Sequence, residues 1–409
     1  MQKPSFRSVL TLTVLVASLG YFVDIFDLLL FPIVRESSLR SLGVAPDKLL
    51  STGTLLLNMQ MGGMFVGGVV WGILGDKKGR MTVLFGSIII YSVANILNAY
   101  VSTIPQYVIL RFIAGFGLAG ELGAAITLVG EQLHQSVRGY GTSVVATVGI
   151  AGGVVAGFVG NMLTWQHAYI LGGVLGLLLL LLRVQVAESA MFTATRTSTK
   201  VEHGNFLMLF SSRKRFIKYV HCILIGIPLW YGVGILMTFS PEIAPLLHVQ
   251  GTVHAGIAIA YCYGGISVGD LAAGFLSQKL QSRKQAIQIF LALAFVMTLL
   301  FLVMRGLSVD QFYWICAVFG LTMGYWTLFV TVASEQYGTN LRATVTTTAP
   351  NFVRGSVVLL TLSFAYLKGP LGVLNSALFL GILSILIAAI SITSLRESFH
   401  QDLDFLETD

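Results

Sequence analysis

EQLHQSVRG, residues 131–139, returns in altered form as EQYGTNLRA, residues 335–343. In both copies a Glu and an Arg stand seven residues apart, and the offset between them is 204. A second pair of loops keeps the register. GILGDKKGR, residues 72–80, ends on Arg80, and GFLSQKLQSR, residues 274–283, ends on Arg283, an offset of 203. Polar loops that repeat at nearly one spacing divide the chain into two halves built on one plan.

The intervals between these loops are apolar. Of 409 residues 55% are hydrophobic and 11% charged, with a mean hydropathy of +0.82. Soluble domains carry about 25% charged residues, so an ordinary soluble fold is excluded. Runs of roughly 20 apolar residues, the length a helix needs to cross a bilayer, fall near 9–33, 49–75, 81–100, 104–130, 140–163 and 167–186. Six more fall near 218–241, 252–278, 284–304, 311–334, 343–366 and 371–394. The prediction is an all-α polytopic membrane protein of twelve transmembrane helices. Residues 1–186 and 218–395 form the pseudo-symmetric six-helix halves, 187–217 a linker carrying short interfacial helices, and 396–409 an acidic tail. The first run holds two aspartates and continues to about Ile33, so it reads as an uncleaved span and not a signal peptide.

The net charge of +7 does not indicate a nucleic-acid partner, because the basic residues sit in short loops. With the N-terminus inside, 18 Lys and Arg fall in inner segments and 5 in outer ones. The excess places both termini in the cytoplasm, and the expected location is the inner (plasma) membrane of a bacterium, the protein acting as a monomer. Arg183 is counted with the inner charges and Arg35 with the outer. Cys222, Cys262 and Cys316 lie in apolar stretches and read as buried thiols. No metal site, cofactor, nucleotide loop or enzyme motif is expected.

GILGDKKGR resembles the loop 2–3 signature of the major facilitator superfamily: glycine, x, leucine, small, Asp, then two basic residues, Gly and Arg. RFIAGFGLAGELGAA, residues 111–125, is similar to the fourth-span signature of the metabolite:proton symporters, relatives of the sugar porters. Asp24-Ile25-Phe26-Asp27 resembles the acidic motif of their first span. Phe31-Pro32 departs from the tyrosine–glycine that follows it there, and Pro32 is expected to bend the outer end of the span. Span 5, GIAGGVVAG at 149–157, has small residues that permit close helix approach. It lacks the Gly-Pro of the antiporters. The resemblance implies alternating access about a cavity between the halves, and an inner-surface gate at Gly72, Asp76, Arg80, Glu131 and Arg138. Its second-half counterpart is Glu335 and Arg342, weakened by Ser277 or Gln278 in the place of Asp76.

Ionisable residues inside the spans are few: Asp24, Asp27, Arg111, Glu121 and Arg354, with Asp270 near an inner end. Such charges are functional hypotheses whose partners must be named. Asp24 and Asp27 share a face, and Arg111 lies at matching depth on span 4, so an Asp–Arg111 pair is expected. Two aspartates outnumber that arginine, which points to Asp24, Asp27 and Glu121 as proton-coupling sites. Arg111 and Arg354, with Asn351, are expected to bind an anionic substrate. Trp230, Tyr231, Tyr261, Tyr325 and Trp326 are expected to line the cavity, with Tyr263 in the same aromatic set. The combined expectation is proton-coupled import of a small polar carboxylate metabolite, powered by the proton gradient. The alternative is an exporter or uncoupled facilitator of an amphipathic compound or siderophore-like polycarboxylate.

Overall fold

A computed structural model describes residues 11–133, 135–184 and 206–399; the side chains of 76, 130, 131, 135–140, 142, 143, 339, 340 and 343 lie outside the description. Twelve helical segments among the described residues are long and apolar enough to cross a membrane. They are α1 (Leu12–Ser41), α2 (Leu49–Lys78), α3 (Arg80–Asn98), α4, α5 (Gln135–Met162), α6 (Trp165–Arg183), α7, α8 (Ala255–Leu280), α9 (Arg283–Val303), α10, α11 (Thr339–Leu371) and α12 (Val373–Ser394). Three are broken. α4 divides into α4a (Ile104–Leu118) and α4b (Glu121–Gln132), and α10 into α10a (Val309–Thr322) and α10b (Trp326–Glu335). α7 runs Arg213–Leu224, restarts at Ile227–Tyr231 and continues as a π-turn over Gly232–Met237. The breaks of α4 and α10 lie one repeat apart, so the symmetry of the loops extends to the irregularities of the helices.

The packing repeats as well. Gly63, Gly67 and Gly115 place α2 against α4 so closely that a Cβ would overlap the carbonyls of Phe112, Phe116 and Gln60. Gly265, Gly269 and Gly320 do the same for α8 and α10 at the carbonyls of Ala317, Leu321 and Cys262. Helices that approach this closely gain van der Waals contact, which matters where lipid supplies no hydrophobic drive. The halves meet along α2 with α11 and along α5 with α8, a pairing that exchanging the halves leaves unchanged. Leu181, Phe275, Val303, Leu359 and Ile390 are exposed. Apolar side chains on the outer faces fit contact with hydrocarbon.

Each sequence-predicted span has a counterpart. α1 is longer than expected and passes through Pro32 to Ser41. The reason is Arg35, read from sequence as a loop charge. It is buried, and its Nη2 pairs with Glu242 at 2.7 Å across the halves, with Phe239 5.1 Å below its guanidinium. α7 begins at Arg213, inside the expected linker, and Phe206–Leu209 forms a short 3-10 turn before it; residues 187–205 lie outside the described residues. The tail is not separate at its start. Ser398 is buried and donates to Glu335 Oε2 at 2.6 Å, while Glu397 accepts from Ser282 Oγ and the amide of Arg283 at the head of α9. All three cysteines are buried and free.

Candidate functional site

Between the halves lies a small cavity lined by Tyr21, Ile25, Ile150, Leu229, Trp230, Tyr263, Ile266, Trp326 and Arg354. The glycine stripe of α5 builds one wall. Gly149 and Gly153 sit one turn apart, and a Cβ at either would collide with the ring of Tyr21 or Tyr263. Breaks build the opposite wall: α7 restarts beside Pro228 and presents Trp230, and α10b begins with Trp326. Arg354, on α11, is fully buried with its guanidinium carbon 6.0 Å from the ring centroids of both tryptophans. That is cation–π range.

Arg354 is loosely held. Its Nη2 meets Asp24 Oδ2 of the other half at 3.5 Å, and its Nη1 donates to Asn351 Oδ1 at 3.4 Å, both at the limit of hydrogen-bond geometry. Asn351 itself is fixed, donating to the carbonyls of Ala119 at 2.7 Å and Thr347 at 2.8 Å. Arg354 Nε, Asp24 Oδ1 and Trp230 Nε1 are buried with no hydrogen-bond partner among the described residues. Buried polar groups are normally satisfied, so unused donors on cavity-lining residues suit a polar ligand.

The expected Asp–Arg111 ion pair is not made. Arg111 donates to Asn95 Oδ1 at 2.8 Å and Asn98 Oδ1 at 3.2 Å, and lies 4.7 Å from the ring of Tyr169. These α3 amides and the tyrosine take up the guanidinium. Asp27 sits against Gly172, where a Cβ would overlap its Oδ1, with Arg111 and the Asn95 amide beside it; neither oxygen makes a hydrogen bond of strict geometry among the described residues. Nor do the carboxylates outnumber the arginines. Glu121 is gripped in a fork by Arg183, Nη1 to Oε1 at 2.8 Å and Nη2 to Oε2 at 2.5 Å, and accepts from Ser87 at 2.9 Å. Arg183, counted from sequence as an inner-surface charge, is buried. Three carboxylates therefore share a buried region with three arginines, and only two of the three form ion pairs.

The other expected residues divide. Trp230, Trp326 and Arg354 line the cavity, and Asn351 positions Arg354. Tyr231 turns away, its hydroxyl on the Ala377 carbonyl at 2.7 Å; Tyr325 bonds the Ile225 carbonyl at 3.0 Å; Tyr261 stacks on Tyr313. None of these three lines it. Sequence reasoning gave no role to Tyr21, although it stands three residues before Asp24 and so on the same helical face. Of the gate residues, Gly72 faces Thr348 across the halves with room for a Cβ between them, and Arg80 donates to the Gly75 carbonyl at 2.7 Å. Glu335 pairs with Arg283 at 3.3 Å, and Arg283 also donates to Ser277 Oγ at 3.1 Å. Arg342 accepts at its carbonyl from Thr346. The side chains of Asp76, Glu131 and Arg138 lie outside the described residues.

Comparisons with known proteins agree with this architecture. Residues 10–359 match the family model described as "Major Facilitator Superfamily". The chain is 24% identical over 364 residues to the niacin transporter of Acinetobacter baylyi, covering 80% of each chain. It is 28% identical over 246 residues to the 3-(3-hydroxy-phenyl)propionate transporter of Escherichia coli, covering 57% of this chain and 59% of that protein. It is 34% identical over 146 residues to a 4-hydroxybenzoate transporter of Pseudomonas putida, covering 33% of this chain and 31% of that one. The solved proton:xylose symporter bound to 6-bromo-6-deoxy-D-glucose superposes with a TM-score of 0.75 over 98% of both chains, at 16% identity.

Proposed function

The chain belongs to the Major Facilitator Superfamily, as a multi-pass membrane transporter and not an enzyme, and on that premise we propose that it imports a small aromatic carboxylate together with a proton. The observation that carries this reading is Arg354: a fully buried guanidinium, flanked by two indoles, in a cavity between the halves, with a distant counter-ion. A carboxylate suits the guanidinium's paired donors, and a ring suits a cage of Tyr21, Trp230, Tyr263 and Trp326. Niacin, 4-hydroxybenzoate and 3-(3-hydroxyphenyl)propionate, named for the relatives above, all join a carboxylate to an aromatic ring.

The charge geometry supplies a coupling scheme. When a substrate carboxylate takes Arg354, Asp24 loses the cation that balances it. A buried carboxylate without a partner favours its protonated form. Substrate and proton then bind together, and the cargo crosses as a neutral pair. Asp27 is the second candidate for the proton. Glu121 is held by Arg183 and must break a fork of two short bonds to titrate. Inter-half contacts stand on either side of the cavity: Arg35–Glu242 towards one end, Asn351 on the Ala119 carbonyl towards the other. Rocking about the cavity would break one set while the other forms. The excess of Lys and Arg in alternate loops supports the reading that both termini face the cytoplasm of a bacterial inner membrane.

The test is uptake in proteoliposomes under an inward proton gradient, with nicotinate, hydroxybenzoates, phenylpropionates, sialic acid and xylose as candidates. Concentrative uptake of an aromatic acid, abolished by Arg354→Ala and made gradient-independent by Asp24→Asn, is expected. Uptake of xylose alone, or aromatic-acid uptake that survives Arg354→Ala, refutes the reading.

A further inference from the structure

Three consecutive residues at the start of α10b each bind a different helix. Tyr325 donates to the Ile225 carbonyl at the break of α7, 3.0 Å. Trp326 Nε1 donates to Tyr21 Oη of α1, in the other half, 3.1 Å. Thr327 donates twice to Asp270 of α8, amide to Oδ1 and Oγ1 to Oδ2, each at 3.0 Å. Asp270 thus caps the half-helix as an N-cap residue would, but from a neighbouring span. Gly269 and Gly324 let the two backbones touch at this point; a Cβ on Gly324 would lie 2.6 Å from the Asp270 nitrogen.

Asp270 is also the odd carboxylate. It is 6% exposed. Unlike Asp24 and Glu121, it has no ion-pair partner among the described residues. Tyr21 of α1 is the titratable group that feels its charge. Thr327 and the Trp326 amide of α10b hydrogen-bond Asp270, and among the described residues no Lys, Arg or His forms an ion pair with it. Its charge faces the N-terminus of α10b.

A second cavity adjoins the first, lined by Leu122, Ile126, Ala146, Thr327, Val330 and Thr331. Tyr21 and Trp326 belong to both linings, so their hydrogen-bonded rings are the wall between the two. Trp326 is held in that wall by the same turn that Asp270 clamps.

We propose that Asp270 is a proton-responsive positioning residue that clamps α10b and so holds shut the Tyr21–Trp326 wall between the substrate cavity and the second cavity. Ionised, it accepts both Thr327 hydrogen bonds and meets the positive end of the half-helix. Protonated, Asp270 loses its charge, and the charge-assisted bond from the Thr327 hydroxyl is replaced by a weaker neutral one that the carboxylic acid donates to Thr327 Oγ1. α10b is then free to tilt about the Met323–Tyr325 break and carry Trp326 off Tyr21. This rests on the transport reading for its purpose, but the test uses no substrate.

The reporter is Thr331→Cys, in the second cavity, in a chain whose Cys222, Cys262 and Cys316 are replaced by alanine. Labelling by a water-soluble maleimide is compared at each pH with the same protein carrying Asp270→Asn; the ratio cancels the thiol's own titration. Near pH 8 the Asp270 protein is expected to label about fivefold more slowly than the Asn variant, the scale of one charge at a helix terminus. The ratio should approach one as the pH falls. Thr327→Val, which removes one hydrogen bond and keeps the carboxylate, should speed alkaline labelling and retain the pH dependence. A ratio that is flat with pH, or an unchanged rate in Thr327→Val, overturns the proposal. Failure to find an aromatic-acid substrate would leave this labelling result standing.

Discussion

Arg354 and Asp24 are joined across the halves at 3.5 Å, both buried, and that contact can be weighed by a double-mutant cycle. At an effective dielectric of about 20, unit charges this far apart attract by roughly 5 kcal/mol. Desolvation offsets much of that, and removing one partner of a buried pair costs about 3–5 kcal/mol because the other is stranded. The two strandings differ here. Asp24→Asn leaves Arg354 with Asn351 at 3.4 Å and two indole faces. Arg354→Gln leaves Asp24 with no remaining partner among the described residues. Arg354→Gln should therefore destabilise more, by about 4 kcal/mol against about 2 for Asp24→Asn. The double variant, with no charge to strand, should lose about 3 kcal/mol, less than Arg354→Gln alone, a coupling of about 3 kcal/mol. Unfolding of the purified protein in detergent, followed by tryptophan fluorescence, gives the order directly. Additive losses in the double variant would mean that the two charges do not act on each other, and the proposed exchange of Asp24 for a substrate carboxylate would fail with them.

Gly149→Ala should force Tyr21 off its seat and break the bond to Trp326, weakening ligand binding at least tenfold in an equilibrium binding assay, while Gly62→Ala, where a Cβ meets nothing, leaves it unchanged. Arg183→Met strands Glu121 among buried neighbours and should cost about 3–5 kcal/mol of stability, most of it recovered by adding Glu121→Gln; thermal melts read both. Glu397 is pushed up by burial, but the Ser282 hydroxyl and the amides of Arg283, Phe399 and Lys284 hold it net below the usual carboxylate value. A depressed value means its contribution is full at neutral pH and fades as acid protonates the folded state. Protease resistance of the tail should accordingly fall below about pH 4.5, and Glu397→Gln should lower it at neutral pH and flatten that dependence. Arg35→Ala removes the inter-half pair with Glu242 and should raise labelling of a cysteine placed at Thr238 several-fold; a Glu242→Ala variant should match it.

The fold was legible because its causes are periodic. Loop charges at one offset and apolar runs of spanning length carry the twelve helices and the two halves without any contact information. The site was legible only as a list of residue types. Trp230, Trp326 and Arg354 meet because α7 and α10 break where they do, and a break at Met323–Tyr325 has no proline to announce it. Arg183 and Arg35 were misread for a common reason. Counting basic residues by segment assigns a charge to a membrane surface, whereas a long side chain near a helix end can equally turn inward. Both turned toward a carboxylate, Glu121 and Glu242. The partner of Arg111 was missed because Asn95 and Asn98, neutral residues in α3, carry no charge for a depth argument to find.

The arginines change what the aspartates of YFVDIFDLLLFP, residues 21–32, mean. An excess of carboxylate over arginine is not the source of a mobile proton, since Arg111, Arg183 and Arg354 are all within the same buried region. What differs is how firmly each cation is held. Arg183 makes two short bonds to Glu121, and Arg111 is occupied by two amides and a tyrosine face. Arg354 makes only contacts at the edge of hydrogen-bond reach and faces the cavity. A ligand competes most easily for the cation that is bound least. The carboxylate displaced is Asp24, which belongs to the other half of the molecule. Binding at Arg354 therefore alters an inter-half contact and a proton affinity in one event, and those are the two quantities that a coupled carrier must tie together.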